Sequence, residues 1–170
     1  MTIRPAYKED ISVIRKLAQE TWWPTYQSIL SGEQISLMLE KMYSEEALTE
    51  QMGQGQQFAL AESDGSALAF CSFSGTTGES IVKIHKLYVH PRAQGLGAGK
   101  QMINYMEERS RALGASLLEL NVNRHNPALA FYKRIGFDIY QEVDIPYYQF
   151  FMNDYIMRRP IAGGPEEELH

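Results

Sequence analysis

The residues Val89-His90-Pro91-Arg92-Ala93-Gln94-Gly95-Leu96-Gly97-Ala98-Gly99-Lys100 combine the types from which a phosphate cradle is built. The stretch leaves an apolar, strand-like run (Ile84, Leu87, Tyr88, Val89) and enters a helical pattern (Met102, Ile103, Met106, Leu113). A glycine-rich turn at such a junction lets successive backbone N–H groups point into one concavity, and the unpaired N–H groups at the start of the helix aim the same way. Spacing excludes two familiar phosphate loops. A nucleoside-triphosphate loop read back from Gly99-Lys100 requires glycine where Gln94 stands and a hydroxyl where Gln101 stands. A dinucleotide fingerprint begun at Gly95-Leu96-Gly97 requires glycine where Lys100 stands.

A second segment lies downstream. Leu117 to Asn123 reads as a short strand, and Asn126-Pro127-Ala128-Leu129-Ala130-Phe131-Tyr132-Lys133-Arg134-Ile135-Gly136-Phe137 reads as a short helix. Asn126 suits the N-cap, Pro127 the first helical position and Gly136 the position just past the end. Ala128, Phe131, Tyr132 and Ile135 share one helical face.

Arg92-x-x-Gly95-x-Gly97, followed by the Asn126 to Tyr132 run and closed by Gly136-Phe137, closely resembles the signature pair of the GNAT superfamily of N-acetyltransferases. The two segments together span residues 80–140.

The resemblance implies acetyl-coenzyme A as the cofactor and transfer of its acetyl group to an amine. Main-chain amides around Gln94, Gly95, Leu96, Gly97, Ala98 and Gly99 would hold the pyrophosphate, and a Cβ at 95 or 97 would obstruct it. Arg92 and Lys100 would add positive charge or remain solvated. Leu87 and Val89 would offer main-chain groups to the pantetheine arm, as to an added strand. Asn121 and Asn126 stand where family members bond the pantetheine amides, with a turn role open for Asn121 and the N-cap role compatible for Asn126.

The reaction implied is direct attack of the amine on the thioester in a ternary complex. An alkyl amine with a pKa of about 10.4 is neutral in only about one molecule per thousand at pH 7, a cost of roughly 4–5 kcal/mol. Holding the reactants in contact contributes up to about 7–11 kcal/mol, and a general acid or base about 10²- to 10⁴-fold. Tyr132 occupies the family position whose hydroxyl protonates the departing thiolate, and its place on the apolar stripe also suits a core tyrosine. Many family members carry a glutamate base on the fourth strand, whereas Lys83, His85 and Lys86 stand in that neighbourhood here. His85 shares a strand face with Leu87 and Val89 and its ordinary pKa suits a base near neutrality; a packed or surface histidine is the other reading. Glu79 is a further base candidate, and Cys71 reads as an inert packed thiol.

The acceptor is expected between the N-terminal helices and the last strands. Trp22, Tyr26 and Tyr148 could box an alkylammonium chain by cation–π contact, and Glu33 could pair with an ammonium. Trp23, Tyr147 and Phe150 are further aromatics of the same set, and Asp144 and Asp154 further partners for an ammonium; any one aromatic also suits a core or dimer contact, and any one carboxylate a solvated surface. Thr21-Trp22-x-x-Thr25-Tyr26, Ser31-x-Glu33-Gln34-Ile35 and Met152-Asn153-Asp154-Tyr155-Ile156-Met157 are loosely similar to a bacterial branch that includes polyamine acetyltransferases. A small primary amine, polyamine-like, is therefore the expected acceptor. The alternatives are a protein or peptide amine and a non-catalytic acyl-coenzyme A sensor.

The elements that must position these residues follow from periodicity and breakers. Thr2 to Ala6 is a first strand; Ile11, Ile14, Ala18 and Trp22 make a helical stripe ending near Pro24; Ser31-x-x-Gln34 is a capping box opening a second helix; Ser44 caps a further turn. Gln57–Glu62 and Ser66–Phe73 pair as a hairpin around Asp64-Gly65. Strands follow at Ile81–Val89, Leu117–Asn123, Asp138–Ile145 and about Gln149–Met157. The expected class is α/β, a GNAT fold with a mixed, mostly antiparallel seven-stranded sheet flanked by helices and with strands four and five splayed. One domain is expected over residues 1–160, with a frayed tail over 161–170. A formal charge of −5 argues against a general nucleic-acid partner, and no run of 18 apolar residues argues for a membrane span. One cysteine excludes an internal disulfide and suits a reducing cytoplasm. No metal ligand set is singled out, and a homodimer is expected only from the resemblance.

Overall fold

The computed structural model describes residues 1–75 and 79–163. Its strands are β1 (Thr2–Ala6), β2 (Gln57–Ser63), β3 (Ser66–Ser74), β4 (Ile81–Val89), β5 (Leu117–Asn123), β6 (Asp138–Tyr147) and β7 (Phe150–Pro160). Its helices are α1 (Ile11–Tyr26), α2 (Gly32–Tyr43), α3 (Glu45–Gly53), α4 (Ala98–Ala112) and α5 (Ala128–Arg134). The seven strands form one mixed sheet in the order β1-β2-β3-β4-β5-β7-β6, the GNAT arrangement. Most of the expected tail lies outside the described residues.

The backbone divides into two compact units, residues 1–73 with 86–103, and residues 74–85 with the chain from 104 onward. In the first, β1 pairs antiparallel with β2 and β2 with β3. The β2–β3 turn holds Asp64 at φ 51° and Gly65 at φ 76°, the two left-handed residues that a tight hairpin demands. Ser31 caps α2 by accepting the Gln34 N–H, and Ser44 caps α3 by accepting the Ala47 N–H. Helix α1 ends at Tyr26, near Pro24 as expected, and carries the proline inside its last turn. Proline removes the N–H that would reach the Glu20 carbonyl, but Trp22 and Tyr26 on either side of it are both buried. That packing outweighs a helix-interior proline penalty of about 3 kcal/mol.

In the second unit β4 pairs parallel with β5, β5 antiparallel with β7, and β7 with β6. The β4–β5 ladder runs from Ile81↔Leu117 to Ile84↔Leu120 and ends there, although β4 continues to Val89 and β5 to Asn123. This is the expected parting of strands four and five. Alternation puts Leu118, Leu120 and Val122 of β5 in the core, and Glu119 and Asn121 on the opposite face. Strands β6 and β7 extend beyond the sequence expectation, because their hairpin pairs Tyr147 with Phe150 across a two-residue turn.

Candidate active site

The glycine loop belongs to the first unit. Gly95 and Gly97 sit at φ 82° and 81°, a region in which a side chain costs about 1–2 kcal/mol. A Cβ at Gly95 would meet no protein atom within 4 Å, so packing does not explain the glycine there. The first helical bond into α4 is Gln101 N–H to Gly97 O at 3.1 Å. Ala98, Gly99 and Lys100 therefore present their amides at a helix N-terminus, where an anion is favoured. Two of the loop amides are turned inward instead: the Gln94 N–H donates to Pro91 O at 3.3 Å and the Leu96 N–H to Ala93 O at 3.4 Å. The Leu96 side chain is 70% exposed, so the loop stands open to solvent. Ala98, Gly99 and Lys100 could thus hold an anionic group such as a diphosphate through their main-chain N–H groups, with Gly95 and Gly97 shaping the turn before them.

The loop is anchored by contacts that the sequence does not advertise. The His90 ring accepts the Arg92 N–H at Nδ1, so its Nε2–H donates to Glu20 Oε2, 2.6 Å away on α1. The Arg92 guanidinium donates to Ala67 O at 3.0 Å, and the Gln94 side-chain amide to Val89 O at 3.3 Å. Arg92 and Gln94 thus brace the turn, while Lys100 is exposed in the first turn of α4.

Trp22 and Tyr26 lie inside the first unit, packed on each other at 4.7 Å between ring centroids, with Tyr26 hydrogen-bonded to Tyr88 at 2.9 Å. Tyr88 on β4 completes this cluster with Phe70. Sequence reasoning misses Tyr88, since an aromatic on a strand reads as ordinary core. Glu33 is exposed in the first turn of α2. Lys86 points into the same interior, 5.5 Å from the Tyr43 ring centroid and 5.6 Å from that of Phe58. Burial pushes its ammonium down to about 8.

The second unit carries the remaining candidates. His85 is exposed on β4 and its Nε2 lies 2.6 Å from Ser74 Oγ on β3. Lys83, two residues earlier on the same face, donates to Glu119 at 3.4 Å and to the Asn121 carboxamide oxygen. The Asn121 amide nitrogen points at Asp154 (3.4 Å), and Arg158 closes the network on Glu119 at 2.8 Å. Desolvation holds the Lys83 ammonium below its ordinary range and the Asp154 carboxyl above its own. The Asn121 side chain is therefore engaged by protein groups. Asn126 caps the next helix, its Oδ1 accepting the Ala128 N–H at 2.9 Å. Tyr132 on α5 is buried between Phe131 and Phe137. Tyr148 is 64% exposed at the β6–β7 turn, with φ 53°, and stacks edge-on with Tyr147.

A glycine cradle at a helix N-terminus, placed after the fourth strand of this sheet, defines an acyl-coenzyme A transferase fold. Residues 26–144 match the acetyltransferase (GNAT) domain, and the chain belongs to that family, as an acetyl-coenzyme A-dependent N-acetyltransferase. Among curated relatives, spermidine N(1)-acetyltransferase of Thermoplasma acidophilum is 26% identical over 143 residues, covering 81% of this chain and 88% of the relative. Among solved structures, the PaiA N-acetyltransferase of T. acidophilum in complex with coenzyme A superposes with a TM-score of 0.80 at 24% identity, over 94% of this chain and 99% of that one. The ribosomal-protein-S18-alanine N-acetyltransferase of Escherichia coli superposes with a TM-score of 0.73 at 18% identity, over 98% and 97% of the two chains. At these identities the superpositions establish the fold. No helix among the described residues is long and apolar enough to cross a membrane.

Proposed function

We propose that this enzyme acetylates a primary amine of a small molecule, with a polyamine-like acceptor favoured, in a ternary complex by direct attack. The observation that carries the reading is the row of amides that follows Gly95 and Gly97 into α4, on a loop whose glycine at 95 has no packing role. The polyamine preference rests on the similarity to the spermidine acetyltransferase. Bound acetyl-coenzyme A supplies an activated acyl carbon and a thiolate leaving group. The loop amides hold the diphosphate, and Leu87 and Val89 offer main-chain groups beside it. His85 accepts the proton that the acceptor ammonium must lose, and the Tyr132 hydroxyl donates one to sulfur. Trp22, Tyr26, Glu33 and Tyr148 are the acceptor-side candidates; Trp22 and Tyr26 are buried, whereas Glu33 and Tyr148 are exposed. The single cysteine, buried Cys71, suits a reducing compartment, and we place the enzyme in the cytoplasm.

The test is thiol release from acetyl-coenzyme A with a panel of mono-, di- and polyamines and with peptide amines. Turnover highest with diamines and polyamines supports the reading. Turnover confined to peptides would move the acceptor class, and coenzyme binding without release for any acceptor would make the protein a sensor.

A further inference from the structure

The Ser74–His85 contact joins two polar side chains that neither burial nor capping requires to meet. Ser74 ends β3 and is half-buried; His85 is exposed in the middle of β4. Their side chains meet at 2.6 Å, inside the range of a strong O–H···N bond. Several other polar and ionisable groups among the described residues of this face contact one another. Lys83 on the same strand bonds Glu119 and Asn121 of β5, Arg158 of β7 bonds Glu119, and Asp154 of β7 faces Asn121. Ser74, at the end of β3, lies against Nε2 of the imidazole. The serine oxygen thus offers a path by which a proton can reach Nε2. A hydroxyl can do this, since it accepts at a lone pair while donating its own hydrogen.

We propose that Ser74 and His85 form a two-residue proton relay for acetyl transfer. This rests on the reading of His85 as the base. Ser74 Oγ takes a proton from the acceptor ammonium as its own proton moves to His85 Nε2. The neutral amine then attacks: the nitrogen–carbon bond forms, the carbon–sulfur bond breaks, and sulfur takes the Tyr132 proton. The nitrogen sheds its second proton to solvent as it becomes an amide. Solvent carries the proton on His85 to the Tyr132 oxygen, which restores both groups and leaves one proton released per turnover. The relay requires the ring to carry its resting hydrogen on Nδ1, leaving Nε2 to accept. Ser74 is then a catalytic residue, because its oxygen touches the acceptor nitrogen.

The experiment compares Ser74→Ala, Ser74→Thr, His85→Gln and the Ser74→Ala/His85→Gln double variant, with 1,4-diaminobutane and acetyl-coenzyme A. Melting temperatures verify that each variant folds. Ser74→Ala and His85→Gln should each lower kcat/KM by about 10²-fold, and the double variant by no more than either alone, because the two act as a unit. Ser74→Thr keeps a hydroxyl and should recover most of the rate. A second readout needs no turnover: histidine-selective NMR of the coenzyme-free protein should show His85 as the Nδ1–H tautomer in the wild type and a changed tautomer ratio in Ser74→Ala. A Ser74→Ala rate within threefold of wild type, losses that multiply in the double variant, or a wild-type Nε2–H tautomer would overturn the relay while leaving His85 as a direct base. An unaltered His85→Gln rate would remove the base assignment itself, and the relay with it.

Discussion

Lys86 makes a sharp energetic demand on the first unit. Its side chain is buried, 8% exposed, and no carboxylate among the described residues forms an ion pair with it. Burial pushes its pKa from 10.5 to about 8. At 1.36 kcal/mol per pH unit, the protonated side chain destabilises the folded state by about 3 kcal/mol. The faces of Tyr43 and Phe58 oppose this by about 1–2 kcal/mol for a desolvated cation. Below pH 8 folded and unfolded chains both hold the proton and the penalty is complete. Between about 8 and 10.5 the unfolded chain holds more protons, so stability rises with pH. Lys86→Met keeps an unbranched apolar stem without the charge. It should raise unfolding free energy at pH 7 by about 1–2 kcal/mol and flatten the rise between pH 8 and 9.5. Lys83, also held low by burial, adds a slope of the same sign, but it is common to both proteins and cancels in the difference. Tyr43, held high by burial, acts in the opposite sense above pH 10, outside the window. Urea titrations followed by tryptophan emission report this unit directly, since Trp22 and Trp23 both belong to it. A variant no more stable than wild type at pH 7, with the same slope from pH 8 to 9.5, would refute the argument.

Three further outcomes follow from the site. Gly97→Ala forces a side chain into φ 81°, so coenzyme A affinity by calorimetry should fall at least about tenfold, with a stability loss of about 1–2 kcal/mol; unchanged affinity would empty the cradle of its role. Tyr132→Phe removes only the hydroxyl from a buried ring, so kcat should fall about 10–100-fold in a variant that still unfolds cooperatively, and undiminished turnover would return Tyr132 to the core. Asp154 is held above its ordinary range by burial, so its ionisation weakens the fold as pH rises through and above the carboxylate range. Asp154→Asn should therefore be more stable than wild type at pH 7 and lose less stability from pH 4 to 6, which thermal melts across that range would show or deny.

Much of the fold is legible in the sequence because its signals are local. The left-handed pair Asp64-Gly65, the caps Ser31 and Ser44 and the two-residue alternation along β4 each depend on a few neighbouring residues. The glycine turn at Gly95 and Gly97 belongs to the same class, since two glycines and a following helix define it without reference to distant chain. The end of α1 near Pro24 is legible too, but that the proline lies inside the last turn is not, because burial of Trp22 and Tyr26 overrides a local rule. The polar network of Lys83, Glu119, Asn121 and Asp154 is not legible. Each residue reads as a solvated charge or turn residue, and only the register Lys83↔Glu119, with the β5–β7 pairing, brings them onto one face.

The same reasoning explains why His85 stands out in the sequence and Ser74 does not. A histidine carries its chemistry in its type, whereas a serine acquires chemistry only from what its hydroxyl touches. Side chains alternate along a strand with a period of two, so slipping a strand by one residue sends every side chain to the other face. A partner on the neighbouring strand, such as Ser74 for His85, is thus specified by the register of the sheet rather than by any motif. If the relay operates, the proton path and the sheet are one design problem: a substitution that shifts β3 against β4 should lower turnover even where it leaves both Ser74 and His85 in place.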